Sequence, residues 1–441
     1  MKNIVIIGNG IAGITAARHI RKKSNDRITV ISGETDHFFS RTALMYIYMG
    51  HMKYEHTKPY EDWFWTKNKI DLVKGWVQTI DFDKKILHLD TDDINYDELI
   101  IATGSKSNKF GWPGQDLEGV QGLYSYQDLE SMEANTQNID HAVVVGGGLI
   151  GIEMVEMLHS RHIPVTFLVR EASFWDIVLP PEESEMINRH IREYGIDLRL
   201  STELDQILDD GQGRVKGVKT KSGDMIDCQF VGLTVGVSPN IDFLRDTQLE
   251  ADRGILVNEF LETNVPDVYA IGDCTQVREP QQHRKSIEAV WYAGRMMGEA
   301  VAQTILGNKT AYKPGVWFNS AKFFDIEYQV YGQADPKPKS NEKSIYWEDL
   351  SGKKAVRIVF DSNTMKVLGM NALGIRFRHE VWDEWINSGE KIENVIIHLK
   401  KSLFDPEFFK EVDVEIQEKF NREHQFSVPV RKKSILEKIF S

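Results

Sequence analysis

In the first 240 residues the apolar positions come as short runs, unbroken at 4–7, 99–102 and 142–145 and interrupted only by Arg27, Thr29 and Thr166 at 27–31 and 165–169. Runs of this length suit parallel strands covered on both faces. Helical periodicity follows the first run, with Ala16, Ala17 and Ile20 on one side, and returns at 152–160. Residues 76–80 and 85–89 alternate apolar with polar, as antiparallel strands do. Pro180 and Pro181, followed by Glu182, Glu183 and Glu185, read as a helix start with proline and acids in the first turn. The aromatic and Met-rich stretch 37–50 reads as a core-packing helix, and 287–305 as a long one. From about residue 311 the pattern changes to alternating strands at 326–331, 355–360 and 366–371. Amphipathic helices then follow at 381–388 and 406–420.

Glycine placement gives two of the runs a chemistry. The first feeds Gly8, Gly10 and Gly13, and the run 142–145 feeds Gly146, Gly148 and Gly151. In this spacing one glycine makes a tight turn and the next lets backbone approach a pyrophosphate. The third lets helix and strand pack closely. The helix that opens there points free N–H groups and the positive end of its dipole at phosphates. Glu34 stands 21 residues past Gly13, where a carboxylate takes a ribose hydroxyl. Glu171 stands 20 past Gly151 and suits a free 2′-hydroxyl, while its neighbour Arg170 suits a 2′-phosphate. The second nucleotide can thus be NADH or NADPH. A strand ending in Gly272 and Asp273 places a carboxylate at the C-terminal rim of a sheet, where α/β folds bind ligands.

A chain of 441 residues makes about three domains at roughly 150 residues each. Its 53 Lys and Arg against 66 Asp and Glu leave a net charge of −13, which argues against nucleic acid. No apolar run approaches the ~20 residues that span a bilayer. The first strand begins at Ile4 and does not read as a signal peptide. Two distant cysteines, Cys228 and Cys274, point to a reducing compartment with no disulfide framework, so cytoplasm is expected. They cannot form a thiolate metal site, and the thirteen histidines show no paired ligand spacing, so no metal is expected.

Taken in order, four motifs resemble those of the flavin-dependent pyridine-nucleotide oxidoreductases of the glutathione reductase fold. They are Gly8-Asn9-Gly10-Ile11-Ala12-Gly13, Ala102-Thr103-Gly104, Gly146 through Leu149, Ile150, Gly151 and Glu153, and Ala270-Ile271-Gly272-Asp273. The resemblance covers roughly residues 1–310. It implies an α/β protein with two Rossmann-like domains of parallel sheets and a C-terminal α+β interface domain. FAD would be held by 1–110 and 239–310, and NAD(P)H by 111–238, a module closing at Gly236. Residues 311–441 would form the interface, in which a homodimer is allowed. In the family the Gly-Asp carboxylate binds the ribitol, so Asp273 would do so here, with Glu288, Ala289 and Trp291 near the flavin ring. Glu153 occupies the place of a glutamate that approaches nicotinamide and flavin.

The family's branches divide on sulfur. Where its members with one cysteine carry Ser-Cys, this chain reads Phe39-Ser40-Arg41-Thr42-Ala43-Leu44, so thiolate chemistry there is lost. Cys274 reads as a buried turn thiol. The arginine is similar to that of ferredoxin and rubredoxin reductases and of the nitrite reductase flavin module. That likeness implies that Arg41 and Thr42 serve the cofactor. The lysine those reductases pair with the glutamate falls here on Tyr46, which can donate a hydrogen bond or stack on the ring. The expected reaction passes hydride from NAD(P)H to flavin, then electrons to a small redox protein or another small acceptor. Two alternatives stand beside it: an NADH-responsive flavoprotein scaffold similar to apoptosis-inducing factor, and a quinone reductase touching a membrane. The hook for the second is the basic amphipathic tail 431–441.

Overall fold

The computed structural model describes residues 1–404, 411–424 and 427–430. They form two compact units, Met1–Thr166 with Glu203–Pro314, and Phe167–Thr202 with the residues from Gly315 onward.

The first unit is built on the runs of apolar residues. Strand β1 (Asn3–Ile7) pairs in parallel with β2 (Arg27–Ser32), which pairs with β3 (Ile70–Lys74). A three-stranded antiparallel meander follows, of which β4 (Val77–Asp81) and β5 (Ile86–Leu89) are the first two strands. On the other side of β1 lie β6 (Glu98–Ile101) and, beyond it, a late strand. Ile4, Val5 and Ile6 are completely buried, each worth roughly 1.5–3 kcal/mol. Between β1 and β2 runs helix α1 (Ile11–Arg21).

The stretch 37–50 holds only a short helix, α2 (Leu44–Tyr48), behind a single 3₁₀ turn, so the continuous helix expected there is not formed. Farther on, strand β7 (Val120–Gln121) and helix α3 (Tyr126–Asn135) lead to the second glycine turn. There β8 (Ala142–Val145) enters α4 (Leu149–Ser160), which starts three residues before the expected 152. Strand β9 (Phe230–Leu233) lies parallel to both β8 and β7. The last strand of the first sheet is β10 (Val268–Ala270), parallel to β6.

Helix α5 (Trp291–Ile305) follows and packs on α1 through small residues. A Cβ on Gly298 would sit 2.5 Å from the Ala12 carbonyl oxygen. This helix was expected from residue 287. It begins at Trp291 because Val290 is extended, and the segment before it is held by a buried Arg284–Glu288 ion pair of 2.6 Å. The chain crosses between the two glycine-turn regions as a short antiparallel ribbon, Ser105–Ser107 against Val237–Pro239.

The second unit carries a five-stranded antiparallel sheet. Its order is Phe318–Phe323, Ile326–Gly332, Val367–Leu373, Ala355–Asp361, Glu342–Glu348. The three strands expected from alternation are present, and both edge strands are additional. Helices His379–Ser388, Ile392–Ile397 and Asp413–His424 share its core, with Trp382 and Phe420 fully buried. The helix expected over 406–420 starts at Asp413 in the described residues, and 405–410 lie outside them. So does the tail 431–441. Helix Pro181–Glu193 begins at the proline pair as expected. In this unit Arg357 holds the fully buried Glu183 at 2.7 Å. Burial pushes the Glu183 carboxyl upward, opposed by Arg357. Among the described residues no helix is long and apolar enough to cross a membrane.

Candidate functional site

The first glycine turn has three glycines with three separate reasons. Gly8 has φ +112° and donates its N–H to the Ile31 carbonyl at 2.8 Å. A side chain there would run into the carbonyl of Ala102, whose own N–H bonds Ile7 at 2.8 Å. A side chain on Gly13 would run into the Gly8 carbonyl. Gly10, which caps α1, would meet no protein atom within 4 Å. Its bareness serves something other than packing, as a pyrophosphate approach requires. The turn is braced from the side by Asn9, whose buried amide donates to the Thr35 carbonyl at 2.9 Å.

Above the turn lies a cavity of about 780 Å³, within the roughly 300–1,000 Å³ of cofactor sites. Gly8, Gly10, Ala12, Glu34, Arg41, Thr42, Ala102, Thr103 and Gly104 line it. So do Gly272, Asp273, Ala289 and Trp291, and from the second turn's helix Leu149, Ile150 and Glu153. Gly13, Gly146, Gly148, Gly151, Gly236 and Tyr46 are not among its lining residues. The Tyr46 ring stacks on His51, with centroids 6.1 Å apart. Arg170 and Glu171 belong to the second unit, where they pair with each other at 2.8 Å.

Two carboxylates of the cavity are joined through Arg41 and Tyr124. The Arg41 guanidinium donates in bidentate fashion to Glu34, at 2.7 and 2.6 Å, and a third time to the Tyr124 carbonyl at 2.6 Å. It also lies 4.6 Å from the centre of the Tyr124 ring. The Tyr124 hydroxyl donates to Asp273 at 3.1 Å and accepts from the Ser105 N–H at 3.0 Å. Glu34 accepts once more from the Tyr126 N–H at 2.9 Å. Burial pulls the Arg41 pKa down, but Glu34 outweighs it and leaves the guanidinium above its ordinary value. Burial pushes the Asp273 carboxyl up, with Tyr124 and Arg41 opposing. Burial, with the Glu156 carboxyl one turn further along α4, pushes Glu153 up to about 7.

Sulfur stands apart from this chemistry. Cys274 is fully buried, its thiol 3.3 Å from the Ile271 carbonyl, and burial raises its pKa. Burial pushes Cys228 up to about 12. Both are free thiols with the character of inert core residues.

The sequence reading missed several wall residues, among them Trp76, Leu123, Tyr124 and Phe243. Asn240 also lines the wall, and its carbonyl receives the Thr103 hydroxyl at 2.8 Å. The Gly-Val-Ser-Pro-Asn stretch that ends the inserted module was the one signal for it.

The second turn copies the first. Gly146 has φ +116°, and a side chain there would meet the Thr234 carbonyl. The Thr234 N–H donates to Val145 at 2.8 Å. Gly148 caps α4 and, like Gly10, would meet nothing.

Residues 2–297 match the family model described as pyridine nucleotide-disulphide oxidoreductase. The chain belongs to this family. Among relatives, nitrite reductase [NAD(P)H] of Bacillus subtilis (strain 168) is 29% identical over 282 residues, which cover 63% of this chain and 35% of that protein. Rhodocoxin reductase of Rhodococcus erythropolis is 31% identical over 332 residues, covering 73% of this chain and 76% of the relative. The chain thus spans about a third of the nitrite reductase and three quarters of the rhodocoxin reductase. A solved ferredoxin reductase from Rhodopseudomonas palustris shares the fold with a TM-score of 0.77 at 22% identity, covering 85% of this chain and 91% of that one. With the family come the oxidoreductase class and the FAD and pyridine nucleotide to which its two glycine turns are suited.

Proposed function

We propose that this protein is an FAD-containing NAD(P)H oxidoreductase that passes electrons to a small redox protein, or another small acceptor, without a cysteine intermediate. The observation that carries the reading is the single cavity in which the first glycine turn and Asp273 meet Leu149, Ile150 and Glu153 of the second turn's helix. A site for one dinucleotide thereby opens toward the helix that serves the other. Residues 1–110 and 239–310 are assigned to FAD, 111–238 to the nicotinamide, and 311–441 to an interface that allows a homodimer.

Bound FAD would supply the hydride-accepting and electron-passing chemistry, which belongs to the cofactor itself. The chain's part is placement and field. Glu34, oriented by Arg41, presents carboxylate oxygens at the end of β2 for a ribose hydroxyl. Asp273, oriented by Tyr124, does so at the end of β10 for the ribitol. The first N–H groups of α5 have no side-chain cap, so its N-terminus at Trp291 offers positive potential to a partial negative charge. Burial lifts the Glu153 carboxyl to about 7, so it brings to the cavity a carboxyl that takes up a proton far more readily than an exposed glutamate.

The acceptor reading is supported by the rhodocoxin reductase relative, and by two buried thiols that leave no sulfur for relay. A cytoplasmic location fits the same free thiols. Purified protein should be yellow and should bleach anaerobically with NADH or NADPH. It should then recolour with one class among ferredoxin-like proteins, rubredoxin-like proteins, quinones, dyes and oxygen. Protein that stays colourless when given FAD, or whose flavin ignores both nicotinamides, overturns the reading.

A further inference from the structure

Trp76 is 54% exposed, an unusual position for the largest apolar side chain. Its backbone is nonetheless pinned at the corner between β3 and β4. The Trp76 N–H donates to the Asp90 carboxylate at 2.8 Å, and the Trp76 carbonyl accepts from the Asp90 N–H at 3.1 Å. One residue earlier, the Gly75 N–H donates to the Ser32 carbonyl at 3.1 Å, tying the corner to the end of β2. The indole lies against Gly33, where any side chain would occupy the space of its six-membered ring. Gly33 precedes Glu34, and Trp76 lines the same cavity as Glu34 and Arg41. A broad aromatic surface is therefore held beside the one carboxylate suited to the adenosine ribose. A base attached to that ribose must lie next to it.

We propose that Trp76 stacks on the adenine ring of the bound dinucleotide and is a principal source of its affinity. This rests on the FAD reading above. A base stacked on an aromatic side chain typically tightens binding by roughly five- to 150-fold. Because the indole is largely exposed, it can be replaced with little effect on the core.

The test uses the full-length protein, freed of flavin and titrated with FAD, as wild type, Trp76→Ala, Trp76→Leu and Trp76→Phe. The alanine and leucine variants should bind FAD roughly tenfold more weakly or worse. The phenylalanine variant should recover most of the loss, and the flavin-free melting temperatures should coincide. An alanine variant within about twofold of wild type overturns the proposal, and would leave the indole to docking of another protein. A leucine variant that binds as well as phenylalanine also overturns it, because bulk rather than stacking would then suffice. Wild-type protein that binds no FAD defeats the FAD reading itself, a result distinct from either of these.

Discussion

At Gly8 and at Gly146 the backbone makes the same left-handed turn, φ +112° and +116°, against the carbonyl of a neighbouring residue, Ala102 or Thr234. Each is followed two residues later by a glycine that caps a helix and on which a side chain would meet no protein atom within 4 Å. The surroundings differ. The first turn forms part of the cavity wall with Glu34, Arg41, Tyr124 and Asp273, whereas Gly146 and Gly148 lie outside that wall. From the second turn only the helix beyond it, at Leu149, Ile150 and Glu153, reaches the cavity. A glycine fingerprint therefore specifies a backbone able to face a phosphate. The ends of the other strands decide which groups line the rest of the ligand.

Valine at either first glycine should break the symmetry of the two turns. Gly8→Val drives a side chain into the Ala102 carbonyl and should cost about 4 kcal/mol or more, with loss of bound FAD. Gly146→Val should cost a similar amount locally but abolish the response to NAD(P)H before the flavin is lost. Equal loss of flavin in both, measured by absorbance after gel filtration, would show that the turns are not separate sites.

A smaller effect is expected from Arg41→Ala, which leaves Glu34 in the cavity without its bidentate partner. Retention of FAD should weaken by about 1–3 kcal/mol, read as a dissociation constant. Unchanged flavin content would reduce Arg41 to a packing residue.

Glu153→Gln sharpens the comparison at the point where the second turn's helix enters the first turn's cavity. The Glu153 carboxyl has a folded-state pKa of about 7 against an ordinary 4.5, so between these values the folded protein binds more protons than the unfolded chain. Its contribution to stability is present below about pH 4.5 and is lost as pH rises to about 7, by roughly 3 kcal/mol at most. Glutamine should flatten this fall in urea titrations between pH 5 and pH 8. An unchanged slope would assign it to other groups. The least effect is expected from Cys274→Ala, which should leave turnover and flavin content intact and cost about 1 kcal/mol in thermal unfolding. A tenfold loss of turnover would return sulfur to the mechanism.

Both glycine turns were legible because their signals are local: an apolar strand, glycines at fixed spacing and a helix behind. Asp273 was legible for the same reason, as the end of a strand. Tyr124 was not, since it works by reaching Arg41, 83 residues away, and Asp273, 149 residues away, and nothing near it marks that role. Trp76 read as the start of an alternating strand, yet β4 begins one residue later and frees the indole for the cavity. The two unread strands of the second unit are both edges of their sheet. Their Lys, Ser, Asn and Glu residues suit an exposed edge and dilute the apolar alternation. The early start expected for α5 followed apolar residues at 287, 289 and 290 that the chain uses in extended form.

The ribbon of Ser105–Ser107 and Val237–Pro239 brings the entrance and exit of the inserted region side by side, one paired residue from the next. Joined ends hold the intervening stretch at little cost in loop entropy, yet that stretch is no removable cassette: its residues 167–202 belong to the second unit, and excising them would strip Arg357 of the buried Glu183 carboxylate.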